Sequence, residues 1–358
     1  MLDYLSACPI PSVSTIFGSL NERNTTSGKK YKGETAIEDA VSQTRYFQAA
    51  KLLHEDGDVA KAFKAIVQPF QSSPISNESV EILKSLHPKR MDKNNLTENI
   101  ITTDHVYDLP DVCTPQLLWQ YIRSSKSGKA PGVDGLRIDH LKAMAKCGSA
   151  SWLTSMAKIV NIAIKGSLPI WITELLTSSR LIGLLKPRKE GEELKIRPIG
   201  IGVVWLKLIS KAALRHHHRE ILNYLEPFQF GLSSCGLESI SQIIQQTLRD
   251  NPSFVLFRVD IKNAFNSLLR KTIFQEIRQN FPHLLPWVNC LYGNFSKLWT
   301  KSIDGTFTSI NSEEGVKQGE TLGSALFNIG IHAPIIKNLN KILNPSSGVS
   351  FGCIIALT

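Results

Sequence analysis

One segment constrains the fold more than any other, because an apolar run ends in a carboxylate and passes directly into a helical pattern. The run covers residues 254–259, the carboxylate is Asp260, and helical periodicity continues to about Asn280. A short apolar stretch rich in β-branched and aromatic residues predicts a buried strand. A buried strand that leads into a helix is typical of a sheet covered by helices. The sequence therefore predicts an α/β (α+β) fold in which Asp260 faces a cleft.

Strand and helix signals alternate through the rest of the region that begins near residue 103. Strands are predicted at 181–187 and 195–201, and a hairpin is predicted around Asp304-Gly305, a pair that tolerates the positive φ of a tight turn. Helices are predicted at 115–125, 136–165 and 203–225, and from about Thr321 onwards. This alternation agrees with a sheet that packs against helices.

The N-terminal third has a different character. Residues 21–34 are polar and Gly-punctuated, and we predict a disordered or loop lead over residues 1–34. Residues 35–102 predict a helical leader, whose last helix at 76–88 can be capped by Ser76 or Asn77, followed by a polar connector. We therefore expect an all-helical leader before a main domain at 103–358.

Charge indicates the class of partner. The chain has 358 residues with 41 Lys and Arg against 31 Asp and Glu, for a net charge of +10. Residues 180–226 hold ten basic and five acidic side chains, which concentrates half of that charge in one stretch. A basic stretch of this kind favours a nucleic acid as partner, although some of these charges can simply solvate a helix face.

Other features of the sequence indicate the cellular compartment of the protein. The six cysteines are scattered without a C-x-x-C pair, which argues against a zinc site or a disulfide framework. The N-terminus has Asp3 and no basic region before an apolar stretch, so it does not resemble a signal peptide. No apolar run reaches the roughly 18 residues of a membrane span. We expect an intracellular protein, nuclear or cytoplasmic, that is neither secreted nor inserted in a membrane.

Three segments are candidates for chemistry. Asp260 and the backbone carbonyl of Ile261 are hard oxygen ligands that suit Mg²⁺, although a strand-end Asp can equally cap the following helix. The Gln318-Gly319 bend precedes a helix, where backbone amides can approach a phosphate, or where the glycines serve only a structural turn. Lys129 lies in the turn-rich segment 127–136 and can contact a backbone phosphate, or lie in an ordinary tight turn.

A charged turn supplies further candidate nucleic-acid contacts. Lys186 lies near the end of the first strand, predicted at 181–187, and Arg188 and Lys189 follow that strand in the turn. Arg197 lies on the second strand, predicted at 195–201. Together these cations can form a wall of a nucleic-acid channel. A single basic residue in this stretch would be a weak signal, so the prediction depends on their concentration.

Taken in order, these segments resemble the reverse transcriptase domain of non-LTR (LINE-type) retrotransposons. The resemblance begins near Ser127 and covers about two thirds of the chain through GKAPGVDG, KIRPIGI, FQFGLSSCGLESI, FRVDIKNAFNSL and GVKQGETLGSALF. It implies the fingers and partial palm of a right-hand polymerase, which copies an RNA template from a DNA primer with dNTPs and two Mg²⁺ ions, Mn²⁺ being an alternative.

The resemblance also implies roles for individual residues. Asp260 matches the first metal-binding aspartate, with the Ile261 carbonyl beside it, and Phe265 matches the bulky residue that excludes a 2′-hydroxyl. Arg197 matches the arginine that contacts the triphosphate, and Lys186 is its companion. Gln318 and Gly319 match the loop that packs on the nucleotide and template.

Departures from the family pattern shape the expectation for this chain. The sequence ends at FGCIIALT, where relatives continue into an Asp-Asp turn, so we expect a fragment that is inactive by itself. Glu320-Thr321 stands where relatives more often have a small residue or Cys followed by Pro, and Asn266 stands where many have Asp. The alternative is a non-enzymatic, basic nucleic-acid-binding remnant of a polymerase.

Overall fold

The computed structural model of the chain describes residues 76–90, 109–148, 150–185, 194–254, 256, 261–302 and 305–342. All of them belong to the compact unit that spans Ser72–Thr358. Within these ranges the helices are α1 Asn77–Ser85, α2 Pro115–Ser124, α3 Ile138–Cys147, α4 Ala150–Ile164, α5 Ile170–Thr177, α6 Val204–Leu225, α7 Gly236–Asp250, α8 Ala264–Ser267, α9 Arg270–Asn280, α10 Leu285–Tyr292 and α11 Gly323–Ile342. The strands are β1 Ser179–Leu185, β2 Ile196–Gly202, β3 Ser296–Lys301 and β4 Phe307–Ser312.

The four strands form one mixed sheet in the order β2-β1-β3-β4. β1 is antiparallel to β2, with Ile182 opposite Ile199, and β3 is antiparallel to β4. β1 and β3 are parallel over a short stretch. Helices together with a mixed sheet confirm the predicted α/β class, and both predicted hairpins have the expected strands.

One face of the sheet is covered by α1. Alternate strand residues share a face, and Leu181, Ile196, Leu298 and Ile310 form a buried cluster with Leu83 of α1. Ser76 caps this helix, since its Oγ accepts the Ser79 backbone N–H at 3.2 Å. The segment that the sequence assigned to the leader therefore packs against the sheet, while the boundary drawn near residue 103 stays a prediction.

The larger core lies among the helices rather than on the sheet. Buried residues of α2, α4, α6, α9, α10 and α11 form one cluster. In α2 the buried residues Leu118, Tyr121 and Ile122 follow the i, i+3, i+4 spacing of an amphipathic helix, and Thr114 caps its first turn by accepting the Leu117 N–H. Among the described residues, no helix is long and apolar enough to cross a membrane.

Two predicted helices are interrupted. The stretch predicted at 136–165 divides into α3 and α4 near Gly148, and the helix predicted after residue 260 divides into α8 and α9. Four of the six residues of the strand predicted at 254–259 lie outside the described residues, as do the first 75 residues and the terminal segment from 343. Those parts of the prediction remain untested.

Candidate active site

The bend at 315–320 is fixed on two sides by backbone hydrogen bonds. At its start, the N–H groups of Gly315 and Val316 donate to the carbonyls of Leu268 and Phe265 at 2.9 and 2.8 Å. Further along, the Gly200 N–H donates to the Gln318 carbonyl at 2.8 Å. Because β2 forms an edge of the described sheet, the bend lies between that edge and the segment that follows Asp260.

Two glycines of the bend permit this close packing. Gly315 has φ +63, and a β carbon there would overlap the backbone of Phe265 and Asn266. Gly319 has φ +97, and a β carbon there would lie 2.8 Å from the Gly200 carbonyl oxygen. Positive φ and crowding both select glycine. The close approach in this structure is to protein backbone on either side.

The side chain of Lys317 connects the bend to the end of α5 and the start of β3. This side chain is buried, and Nζ donates to the Thr177 carbonyl at 2.7 Å and to Ser296 Oγ at 3.3 Å. Burial lowers the pKa of Lys317 to about 8, an effect that the charge of Glu320 partly offsets. Burial raises the pKa of Glu320, whose Oε2 accepts the Leu322 N–H at 2.8 Å.

Arg270 supports the other end of the bend. Its guanidinium is fully buried and donates to the carbonyls of Gly315, Tyr292, Asn294 and Ser312 at 3.0 to 3.3 Å. Burial lowers its pKa to about 10. The planar guanidinium thus joins the start of the bend to the ends of α10 and β4. Nothing in the sequence distinguishes this arginine from a surface arginine.

Arg197 is exposed on β2, on the sheet face opposite α1. Ile199 lies two residues further on the same face, about 7 Å along the strand by ordinary strand geometry. A β carbon at position 319 would lie 3.5 Å from Ile199 Cγ2. The structure therefore brings Arg197 and the Gln318-Gly319 bend, which the sequence singled out separately, to one region of the sheet edge.

Phe265 lies at the other side of the bend. Its ring is half-buried and stacks on Phe327 of α11, with centroids 4.8 Å apart and planes 17° apart. Next to it, the Asn266 side chain is buried and donates to Asn263 Oδ1 at 3.0 Å. Ile261 is 55% exposed. The stacking fixes the orientation of the Phe265 ring beside the bend.

Several predicted residues fall outside the described ranges. They are Asp260, Lys186, Arg188 and Lys189. Among the described residues, no group of three or more His, Cys, Asp or Glu side chains could hold a metal ion. The roles assigned to these four residues, including the metal site at Asp260, stay predictions.

Lys129 lines a cavity of about 300 Å³. The cavity is lined by residues from 125–138 and from the first half of α6, and also by Thr321, which follows the bend. Lys207 and Lys211 of α6 are two of the ten basic residues at 180–226, and neither was predicted individually as a contact. Their i, i+4 spacing was the available signal, since it places both on one helix face.

Comparison with known proteins supplies one point of reference. No family model matches the chain. Over 210 residues it is 26% identical to the "Retrotransposable element SLACS 132 kDa protein" of Trypanosoma brucei gambiense, and the match covers 58% of this chain and 17% of that protein. The chain thus corresponds to a small part of the relative's length. This similarity supports a retroelement origin.

Proposed function

We propose that the chain is part of a retroelement reverse transcriptase, which copies RNA into DNA from dNTPs. The observation that carries the proposal is the position of the bend at 315–320, which bonds to the segment after Asp260 and to the strand that bears Arg197. Three parts that the sequence selected independently are neighbours in the fold. Similarity to a retrotransposable element protein supports the same proposal.

The proposed reaction is nucleotidyl transfer. The 3′-hydroxyl of the primer gives up its proton to water and attacks the α-phosphate of a dNTP, so that a P–O bond forms and the bond to pyrophosphate breaks. Arg197 would pair with the triphosphate, because a guanidinium offers donors in a fork that matches phosphate oxygens. Lys186 would add a second cation. Phe265, held by Phe327, would contact the sugar, and Gln318-Gly319 would contact the base pair.

The predicted metal ligands fit Mg²⁺ in kind. The Asp260 carboxylate and the Ile261 carbonyl are both hard oxygens, and Ile261 itself is exposed. Mn²⁺ accepts the same ligands. When bound, a pair of such ions stabilises the attacking and leaving oxygens, which usually takes two or three carboxylates. Asp260 supplies one of them.

A test that does not depend on turnover separates this proposal from simple RNA binding. A DNA primer with a dideoxy end is annealed to an RNA template, and dissociation of the chain from this duplex is followed with Mg²⁺ present. We expect the next complementary dNTP to slow dissociation several-fold and a mismatched dNTP to have no effect. Arg197→Ala and Asp260→Asn should each remove the effect, and Lys158→Ala, an exposed position on α4, should keep it.

Duplex binding that no dNTP alters would refute the polymerase proposal. The same result would favour the second candidate, a non-enzymatic nucleic-acid-binding protein. A specific observation supports that candidate, since the cavity beside Lys129 gathers five basic side chains, none of which is assigned to the nucleotide site. Under it, Asp260→Asn would leave RNA affinity and its salt dependence unchanged.

A further inference from the structure

The cavity beside Lys129 is lined by apolar and basic side chains. Five basic residues line it: Lys126, Lys129, Arg137, Lys207 and Lys211. Within the described part of the chain, no acidic residue lines it. Among the same described residues, no carboxylate oxygen lies within 4.0 Å of these five cations. The charge of the cavity is therefore left without a direct counter-ion from the described residues.

The loop that forms one wall is held in a defined conformation. Gly132 packs on the start of α6 so closely that a β carbon would lie 2.7 Å from the Val203 backbone nitrogen. Asp134 Oδ1 accepts the Leu136 N–H at 3.1 Å, and Asp139 Oδ2 accepts the Gly128 N–H at 3.1 Å. Lys129 thus lies in a turn that these contacts hold in one conformation, which reduces the entropy cost of ligand binding.

The opposite wall is α6, where Lys207 and Lys211 lie one turn apart. Lys211 Nζ donates to Ser124 Oγ at 3.1 Å and lies 5.3 Å from the centre of the Tyr121 ring. Lys207 is attracted by Asp134 and repelled by Lys129 and Arg180, and its pKa is lowered chiefly by burial. Two half-buried lysines of α6 therefore line the same cavity as Lys129, and the repulsion between Lys207 and Lys129 is an energetic cost that a bound anion would relieve.

We propose that this cavity binds a backbone phosphate of a single-stranded polynucleotide, with Lys129, Lys207 and Lys211 as its donors. Lysines bind phosphate as point charges and read no sequence, which suits a backbone contact. Thr321 links the cavity to the bend at 315–320, so a strand held here would pass beside the candidate active site. The inference uses the nucleic-acid partner of the proposed function but does not depend on catalysis.

The test measures binding of a fluorescent single-stranded RNA of about 20 nucleotides as a function of KCl, with EDTA present so that no metal chemistry contributes. The double variant Lys207→Gln/Lys211→Gln removes both charges and keeps much of the aliphatic stems. The control Lys146→Gln/Lys158→Gln makes the same charge change at exposed positions outside the cavity. Lys207→Arg/Lys211→Arg retains the charge in place.

We expect the glutamine variant to bind RNA about tenfold more weakly. The slope of log affinity against log salt should fall by about 0.7 for each phosphate that the variant no longer neutralises. The control should change affinity by less than about threefold, and the arginine variant should stay near the wild type. Equal losses of affinity in the cavity variant and the control would overturn the proposal.

A second measurement uses the unaltered protein and so does not depend on the folding of variants. Acetylation of lysines is followed by mass spectrometry with RNA, with a dNTP alone, or with no ligand. RNA should protect Lys129, Lys207 and Lys211 and leave Lys158 reactive. Protection by the dNTP alone would assign the cavity to free nucleotides and overturn the polynucleotide proposal. Failure of the dNTP effect in the dissociation test, with this protection intact, would refute only the polymerase.

Discussion

Gly315→Ala should destabilise the protein through two separable effects. The first is backbone strain, because φ is +63 at this position and an L-residue there costs about 1–2 kcal/mol. The second is displacement of the bend, since the new β carbon would overlap the backbone of Phe265 and Asn266. Moving the bend away weakens the hydrogen bonds from Gly315 and Val316, each worth about 1 kcal/mol net. Together these effects should lower the free energy of unfolding by about 3 kcal/mol.

Gly135→Ala is the matched control for this substitution. Gly135 has φ +70, but a β carbon there would meet nothing within 4 Å. Alanine at position 135 therefore introduces the backbone strain without the crowding. Part of the strain is offset, because alanine also restricts the unfolded chain. We expect the free energy of unfolding to fall by about 1 kcal/mol. The two positions differ mainly in what surrounds them, so their difference isolates the close approach of the bend.

Urea denaturation followed by tryptophan fluorescence measures both variants, because Trp287 is buried in the helical core. The midpoint should fall clearly further for Gly315→Ala than for Gly135→Ala at an unchanged slope. Equal shifts would show that the bend does not pack against residues 265 and 266. The Gly315 variant should also lose the dNTP effect on duplex dissociation if the bend forms part of the nucleotide site.

Three further predictions follow from buried groups. Arg270→Met should cost more than about 3 kcal/mol, because it leaves several buried carbonyls without donors. Lys317→Met should remove a rise in stability between pH 8 and 10.5, since the lowered pKa near 8 means that the unfolded chain binds more protons in that window. A thiol reagent should modify exposed Cys147 and Cys235 in the native protein, and buried Cys113 only after unfolding.

Each of these predictions has its own control. Arg278→Met changes an arginine on the same helix, α9, and should cost much less than Arg270→Met. The pH effect is measured as the difference between wild type and Lys317→Met, because buried tyrosines and thiols with raised pKa values lower stability at high pH in both proteins. Rapid native modification of Cys113 would contradict its burial at 3% exposure.

Local sequence patterns predicted most of the secondary structure because they depend on short-range physics. The i, i+3, i+4 spacing in α2, the cap at Ser76 and the turn chemistry at Gly305 are all set by neighbours a few residues away. The points at which a predicted helix divides into two were harder to predict. The breaks near Gly148 and between α8 and α9 are found in stretches whose apolar periodicity continues.

Parts of the candidate site were singled out from the sequence, and their roles stay predictions. Arg197 and the Gln318-Gly319 bend were identified in local sequence patterns and Phe265 through the family resemblance, and the fold brings them to one region. A glycine that allows close backbone approach was also predicted at 319, but its reason in the structure is the backbone of Gly200, which lies more than a hundred residues earlier. A sequence pattern shows that a glycine precedes a helix and does not show which chain segment crowds it.

The α/β class and the segments that are candidates for chemistry could be predicted from the sequence, because composition and periodicity are properties of neighbouring residues along the chain. The burial of Arg270 and Lys317 next to the bend, and the grouping of Lys129, Lys207 and Lys211 around one cavity, depend on how distant segments pack. An arginine or lysine has the same local propensity on a surface as in a core. Its burial and its pKa are set by residues that are distant in sequence, so folding alone assigns them.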